Sequence, residues 1–95
     1  MYVGLARLEV AGIVLEVQAT IQVRPDPADG YRWGGYFTGG RTEMVALADA
    51  AAKHDQLVTL RVHGESDDAT VRIFELSGEH AEFEGVDDPP TRLRR

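Results

Sequence analysis

Three histidines, His54, His63 and His80, are the residues of this sequence best suited to binding a metal. His80 shares a strand face with Glu82, and His63 lies two residues before Glu65. A zinc site needs three or four converging ligands, and this spacing supplies only pairs. The chain contains no cysteine, which excludes disulfides, thiolate metal sites and thiol catalysis. The sequence therefore predicts no metal site and no cofactor.

Hydroxyl and carboxyl chemistry has equally little support. Ser66 and Ser77 both lie in predicted turns, and neither stands in a nucleophile-elbow motif. Glu82 and Glu84 share one face of a strand, which is typical of a solvated surface. The sequence predicts that the protein is not an enzyme.

The segment DGYRWGGYFTGGR, residues 29–41, holds the only tryptophan and two of the three tyrosines. In the favoured interpretation Trp33 closes the core of a small barrel, and Gly34 and Gly35 bend the strand. The same strand also presents a contact surface for a partner protein. The residues predicted to form that surface are Tyr31, Arg32, Tyr36 and Phe37.

Two alternatives remain open for this region. The first is a small-ligand pocket at the barrel mouth, which takes an aromatic or flavin-like ring and is lined by Trp33, Tyr31 and Phe74. The second is a weak anion site where the chain enters a helix, because backbone N–H groups attract anions there. That site consists of Gly39, Gly40, Arg41 and Thr42. No complete phosphate-binding motif accompanies it.

Charge narrows the choice of partner. The net charge is −6, although the segment PPTRLRR, residues 89–95, carries three arginines and no acid. Because phosphate backbones are bound by Lys and Arg, nucleic acid is disfavoured, and a single-strand nucleic-acid binder is kept only as an alternative. The expected partner is a protein, most simply a second copy of the chain. No apolar run or signal peptide is present, so the sequence predicts a cytoplasmic or virion-associated protein and no membrane contact.

Hydrophobic periodicity predicts six strands and one helix. Residues 13–24 alternate apolar and polar over their whole length, which indicates a strand long enough to bend and serve a closed barrel. Gly4 indicates a bulge or a close backbone contact in the first strand. The predicted strands are 2–10, 13–24, 31–38, 57–63, 69–76 and 79–86.

The predicted helix covers residues 42–54, where the apolar period changes. Its buried stripe is Met44, Leu47, Ala48, Ala51 and Ala52, and Thr42 is predicted to cap its N-terminus. Further along, Phe74 and Leu76 fall out of phase with their strand, which predicts a bulge or a covered second face.

These elements predict a mainly β protein, a small six-stranded antiparallel barrel with one short helix after the third strand. The OB-fold places its helix at the same point, so the barrel is OB-like or related, an analogy that concerns topology only. Residues 1–88 form the single predicted domain, and residues 89–95 form a flexible tail.

The opening YVGLARLEVAGIVLEV, the segment PADGYRWGG and the ending FEGVDDPP together resemble small actinobacterial β-barrel domains of unknown function. Some barrels of that kind are appended to flavin-dependent monooxygenases, and similar short chains occur in actinobacterial phages and mobile elements. The resemblance rests on turn glycines and a core tryptophan, and it implies a fold without an assigned chemistry. With the residues above, it favours a non-enzymatic interaction module that serves as a self-associating structural or accessory subunit.

Overall fold

The computed structural model describes residues 1–26, 30–64 and 67–89, together with all side chains in these ranges except those of Asp26 and Tyr31. Within this part of the chain, no helix is long and apolar enough to cross a membrane.

Six strands and one helix follow one another in the order expected from the hydrophobic pattern. The strands are β1 (Tyr2–Val10), β2 (Ile13–Asp26), β3 (Gly30–Thr38), β4 (Leu57–Val62), β5 (Ala69–Ser77) and β6 (His80–Gly85), and the helix α1 (Arg41–Ala52) lies between β3 and β4.

The strands close into one antiparallel barrel in the order β1-β2-β3-β6-β5-β4. Two three-stranded meanders, β1–β3 and β4–β6, therefore pair at both of their edges, β3 with β6 and β1 with β4. The predicted fold, a small six-stranded antiparallel barrel with a helix after the third strand, is confirmed.

Strand β2 is the longest element and serves two neighbours. Its first part pairs with β1 up to Ile21, and its second part pairs with β3 from Gln18 onward. The strand runs two residues past its predicted end at Arg24, because Pro25 and Asp26 still pair with the start of β3. The predicted end of this strand was therefore two residues too early.

The helix begins one residue earlier than predicted. Gly40 is its N-cap, and no side chain caps the first turn, so the prediction that Thr42 caps the helix was wrong. The buried stripe consists of Met44, Leu47, Ala50 and Ala51. It differs from the predicted stripe because Ala50 is buried, whereas Ala48 and Ala52 are not. Both ends of the helix connect to the same end of the barrel, since β3 ends there at Thr38 and β4 begins there at Leu57.

Aromatic side chains fill the core along the length of the barrel. The rings of Phe37 and Phe83 stack with centroids 4.1 Å apart and planes 7° apart. Trp33 packs edge-on against Phe83, with ring centroids 6.2 Å apart. The helix thus covers one end of the core and Trp33 covers the opposite end, as the tryptophan's predicted role requires.

Two further sequence features can be compared with the structure. The register of β5 against β6 shifts between Ile73 and Glu75, so the predicted bulge is present and leaves Phe74 exposed. In β1, the ring of Tyr2 folds over Gly4, where a Cβ atom would lie 2.8 Å from the Tyr2 hydroxyl oxygen. The contact is with a side chain, so it differs from the close backbone contact predicted at Gly4, and the register of β1 against β2 shows no bulge there.

The chain continues past β6 as an ordered segment, residues 86–89, which we call the C-terminal clasp. Its last residue, Pro89, is fully buried, although the sequence placed it in the tail. The remaining tail residues, 90–95, lie outside the described part of the chain.

Candidate functional site: an outer groove of the barrel

A groove of about 710 Å³ runs over the outer face of β2, β3 and β6. Gln22 and Arg24 line it from β2, Gly34 and Tyr36 from β3, and Glu84 from β6. The cross-strand register explains this set, because Gln22, Gly34 and Glu84 lie side by side on neighbouring strands. We call this feature the outer groove. Its volume lies within the range of small-molecule and peptide-side-chain sites.

The floor of the outer groove is bare backbone at Gly34 and Gly35. A Cβ atom on Gly34 would lie 2.6 Å from the carbonyl oxygen of Phe83, and one on Gly35 would collide with the carbonyl of Thr20. Both positions require glycine because the neighbouring strands approach too closely for a side chain. The missing side chain at position 34 leaves the space that forms the groove.

Tyr36 lies at one end of the outer groove, and the residue is 40% exposed. The ring stacks on the imidazole of His80, with centroids 4.9 Å apart and planes 27° apart. This contact orients the tyrosine ring before any partner arrives, which reduces the entropy lost on binding. Tyr36 is therefore a preorganised aromatic contact on an otherwise open surface.

Charged side chains of opposite sign line the two sides of the groove. On the β2 side, Arg24 lies directly opposite Arg32 of β3 in the strand register. Arg24 also approaches the side-chain oxygen of Gln22 at 3.5 Å, and Arg32 interacts within the chain as well. On the β6 side, Glu84 is exposed and lines the groove. A partner with groups of both signs is complementary to this arrangement.

The C-terminal clasp borders the outer groove at Asp87. The indole Nε1–H of Trp33 donates to the carbonyl oxygen of Asp87 at 2.7 Å. The carboxylate of Asp87 accepts a hydrogen bond from the backbone N–H of Thr70 at 2.9 Å, and Val86 N–H donates to the carbonyl of the same threonine. Because its polar groups already bond within the chain, Asp87 acts as structural support for the groove.

Beyond Tyr36, two carboxyl groups meet on the outer face of β5 and β6. Glu75 and Glu82 are cross-strand neighbours. A hydrogen bond that the protonated Glu82 carboxyl donates to the Glu75 carboxylate, partial burial and the negative charge of Glu75 all raise the pKa of Glu82, while nearby His80 acts in the opposite direction. One proton shared between two carboxyl groups accounts for the direction of this pKa change.

The structure separates the four residues predicted as a partner surface. Arg32 and Tyr36 are exposed on the outer face of β3, as the alternation of that strand requires. Phe37 is fully buried and stacks on Phe83, so it cannot contact a partner, because the odd-numbered residues of this part of β3 point into the barrel. The backbone of Tyr31 belongs to β3, and its side chain lies outside the described part of the structure.

The residues of the predicted barrel-mouth pocket do not come together. Trp33 is buried against Phe83, whereas Phe74 is 61% exposed at the β5 bulge. The bulge turns Phe74 away from the interior in which Trp33 lies. A mouth pocket shared by Trp33 and Phe74 is therefore not compatible with the structure. The side chain of Tyr31 lies outside the described residues.

The predicted anion site is occupied by the chain's own groups. A Cβ atom on Gly40 would collide with the carboxylate of Glu43, so this carboxylate lies over the first turn of α1. Gly39 N–H already donates to the carbonyl of Glu79 at 3.3 Å. Arg41 and Thr42 are exposed at the start of the helix. An anion at this terminus would meet the negative charge of Glu43, which disfavours binding.

The three histidines are spread over the molecule. His80 stacks on Tyr36, His54 follows the helix and donates its backbone N–H to Ala51, and His63 follows β4. Among the residues that the structure describes, no group of three His, Cys, Asp or Glu side chains is placed to hold a metal ion.

Several groove residues were absent from the sequence prediction. Gln22 and Arg24 lie on the polar face of β2, and Glu84 lies on the polar face of β6. The sequence alternation was therefore enough to predict that these side chains point outward. Their position beside Gly34 depends on the offset between strands, which alternation does not encode. The pair Gly34-Gly35 inside an alternating strand could have indicated the position of the groove, because glycines within a strand often mark a place where another backbone approaches closely.

Comparison with known proteins gives one result. A search of curated proteins found no match to the chain, and a search of solved structures found none either. A family model described as "Domain of unknown function (DUF4873)" matches residues 1–93. The chain therefore belongs to this family of domains of unknown function.

Proposed function

We propose that this small β-barrel is a non-enzymatic interaction module that binds a partner protein through its outer groove. The observation that carries the proposal is the exposed ring of Tyr36, held by His80 at the end of a groove with a bare backbone floor. Tyrosine and arginine are enriched among the residues that dominate binding energy at protein interfaces. In this proposal the protein acts in the cytoplasm or in a virion.

The groove suits a protein segment because it offers three kinds of contact in one place. Gly34 leaves room for a side chain or a backbone segment of the partner, and Tyr36 supplies an apolar wall. Arg24 and Glu84 flank that room with opposite charges. The side chains that β2, β3 and β6 direct outward form the recognition surface in this proposal.

Site-specific photo-cross-linking tests this proposal. A benzophenone amino acid replaces Tyr36 in one variant and Val14, exposed on β2 at a distance from the groove, in the control variant. In cells that produce the protein, we expect a covalent adduct with another polypeptide from position 36 and none from position 14. The mass of the adduct distinguishes a second copy from a different protein. Absence of an adduct at position 36, or equal adducts at both positions, contradicts the proposal.

A second candidate function is the binding of a small aromatic ligand in the same groove. The volume of about 710 Å³ supports it, since small-molecule sites span roughly 300–1,000 Å³. The resemblance to barrels appended to flavin-dependent monooxygenases makes flavins the first ligand class to test. Chemical-shift changes confined to Gly34, Gly35 and Tyr36 on addition of riboflavin support this candidate, and unchanged shifts at millimolar ligand exclude flavin.

A further inference from the structure

Residues of like charge face each other across neighbouring strands at both ends of the outer groove. Arg24 of β2 is directly opposite Arg32 of β3, and both residues are exposed. At the other end, beyond Tyr36, Glu82 of β6 is directly opposite Glu75 of β5. Like charges placed directly opposite each other destabilise a sheet, so a group of the opposite charge is stabilising at each of these pairs.

The acidic pair has the stronger need for an external cation. Within the described part of the chain, no ion pair joins Glu75 or Glu82 to a lysine or arginine. The closeness of the two carboxyl groups raises the pKa of Glu82, and nearby His80 opposes this effect. A lysine or arginine side chain placed between the two carboxylates forms charge-assisted hydrogen bonds with both.

Another like-charged pair of the barrel is neutralised within the chain, and it serves as a comparison. Arg7 of β1 is opposite Arg61 of β4, yet Arg7 also faces Glu16 on its other side. Arg61 donates a hydrogen bond to Asp68 at 2.7 Å. The strand position beside Glu82 on β3 is instead occupied by an aromatic residue. The acidic pair next to the groove therefore lacks the kind of neutralising neighbour that the arginine pair has.

The strand register places the space above Gly34 midway between the two pairs. Gly34 is two residues from Arg32 along β3, and its cross-strand neighbour Glu84 is two residues from Glu82 along β6. At about 3.3 Å per residue and about 4.8 Å between strands, the middles of the two pairs lie about 16 Å apart.

This separation favours a protein segment over a small charged molecule. An extended chain covers it with about five residues, and the side chains of residues i, i+2 and i+4 point to the same face. The side chains of residues i and i+4 can then reach the two ends, while that of residue i+2 enters the space above Gly34.

We propose that the segment bound by the outer groove is extended and carries an acidic and a basic side chain four positions apart. The basic side chain lies between Glu75 and Glu82, beside the ring of Tyr36, and the acidic side chain contacts Arg24. Arg32 already interacts within the chain, so the acidic end is assigned to Arg24, whose side-chain hydrogen bond is long at 3.5 Å. This inference rests on the proposed function, because it names the chemistry of the partner at the same groove.

Peptide titrations followed by NMR test the charge pattern. The probe is a peptide with blocked ends and the central sequence Glu-Thr-Val-Thr-Arg. Three comparison peptides carry Gln, Glu or Arg at both charged positions. We expect shifts at Gly34, Tyr36 and Glu82, and an affinity about fivefold higher for the mixed-charge peptide than for the neutral one, as two exposed ion pairs contribute. The doubly acidic and doubly basic peptides should bind more weakly than the mixed-charge peptide, because each places one charge opposite its own sign.

Reversing the charge at one end should change the preferred peptide. In the double variant Glu75→Arg, Glu82→Gln, the doubly acidic peptide should become the tightest ligand. The double variant Glu9→Gln, Glu16→Arg, at exposed positions outside the groove, is the matched control with the same change in net charge and should keep the wild-type preference. Equal affinities of the four peptides for the wild type, no shifts at millimolar peptide, or an unchanged preference in the first variant overturn the proposal.

Cross-linking from position 36 in cells separates failure of this inference from failure of the proposed function. Loss of the adduct in the Glu75→Arg, Glu82→Gln background, with retention in the Glu9→Gln, Glu16→Arg background, supports the charge pattern. An adduct of equal yield in all backgrounds overturns the charge pattern and leaves the outer groove as a partner site. Absence of an adduct in the wild-type background overturns the proposed function, and this inference with it.

Discussion

The indole Nε1–H of Trp33 donates a hydrogen bond to the carbonyl oxygen of Asp87 at 2.7 Å, and the two residues are 54 positions apart in the sequence. This bond ties the C-terminal clasp to the end of the barrel opposite the helix. It gives the buried polar atom of the tryptophan a partner, which a buried indole needs. The clasp in turn borders the outer groove, so the stability of the core end and the shape of the candidate site depend on the same contact.

Trp33→Phe should destabilise the barrel. The substitution leaves the Asp87 carbonyl without its donor at a partly buried position, which costs about 1 kcal/mol. Urea unfolding followed by circular dichroism measures the change, because Trp33 is the only tryptophan and its substitution removes the tryptophan fluorescence signal. Tyr36→Phe keeps the exposed ring and serves as the control, with an expected change within about 0.5 kcal/mol. Equal stability of the two variants would show that the indole bond contributes little.

Gly85→Ala should also destabilise the barrel, because its Cβ atom would collide with the indole of Trp33. Overpacking of this kind costs about 1–3 kcal/mol. Gly39→Ala is the matched control, since its Cβ atom would meet Met44 and Val17 at 3.4 Å, an ordinary contact. In a Trp33→Phe background the cost of Gly85→Ala should decrease, and a double-mutant cycle by urea unfolding measures that coupling. Additive effects would mean that the two residues do not interact.

The protein should not bind single-stranded nucleic acid. Its net charge of −6 opposes the approach of a phosphate backbone, and Glu84 lies in the same groove as Arg24. Fluorescence anisotropy of a labelled oligonucleotide at low salt should therefore stay constant up to high protein concentration. A salt-dependent rise in anisotropy that Arg24→Gln abolishes would contradict this expectation and revive the OB-type alternative.

Alternation of apolar and polar residues was sufficient to predict the strands, the barrel and the direction of Arg32 and Tyr36. It could not predict which residues become cross-strand neighbours, because a period of two defines faces and leaves the offset open. The pairs Arg24–Arg32 and Glu75–Glu82 depend on that offset. The sequence also placed Phe37 on the surface, although the alternation that puts Trp33 inside puts Phe37 inside as well.

The ends of elements were harder to predict for a different reason. Pro89 follows a strand and precedes a second proline, a pattern typical of a chain leaving the fold, yet it is fully buried. The segment that leads to it is held by the hydrogen bonds of Asp87 to Trp33 and Thr70, which join residues far apart in the sequence. Contacts of this kind depend on the closed barrel and have no local sequence signal.

Glu75→Ala should lower the pKa of Glu82 toward its ordinary value, because the largest cause of the raised pKa is the hydrogen bond with Glu75. Titration of the Glu82 side-chain carbon by NMR measures this directly. Glu84→Ala, on the same strand face two residues away, is the control and should leave the pKa of Glu82 close to its wild-type value.

The same shift predicts how stability depends on pH. A carboxyl group with a raised pKa in the folded state favours folding when it is protonated. Its contribution is therefore complete below the ordinary carboxyl pKa of about 4.3 and is lost as pH rises through the raised pKa of Glu82. The free energy of unfolding of the wild type should decline across this window, and that of Glu75→Ala should decline less. A wild-type profile that rises there relative to Glu75→Ala would show that the two carboxyl groups do not share a proton.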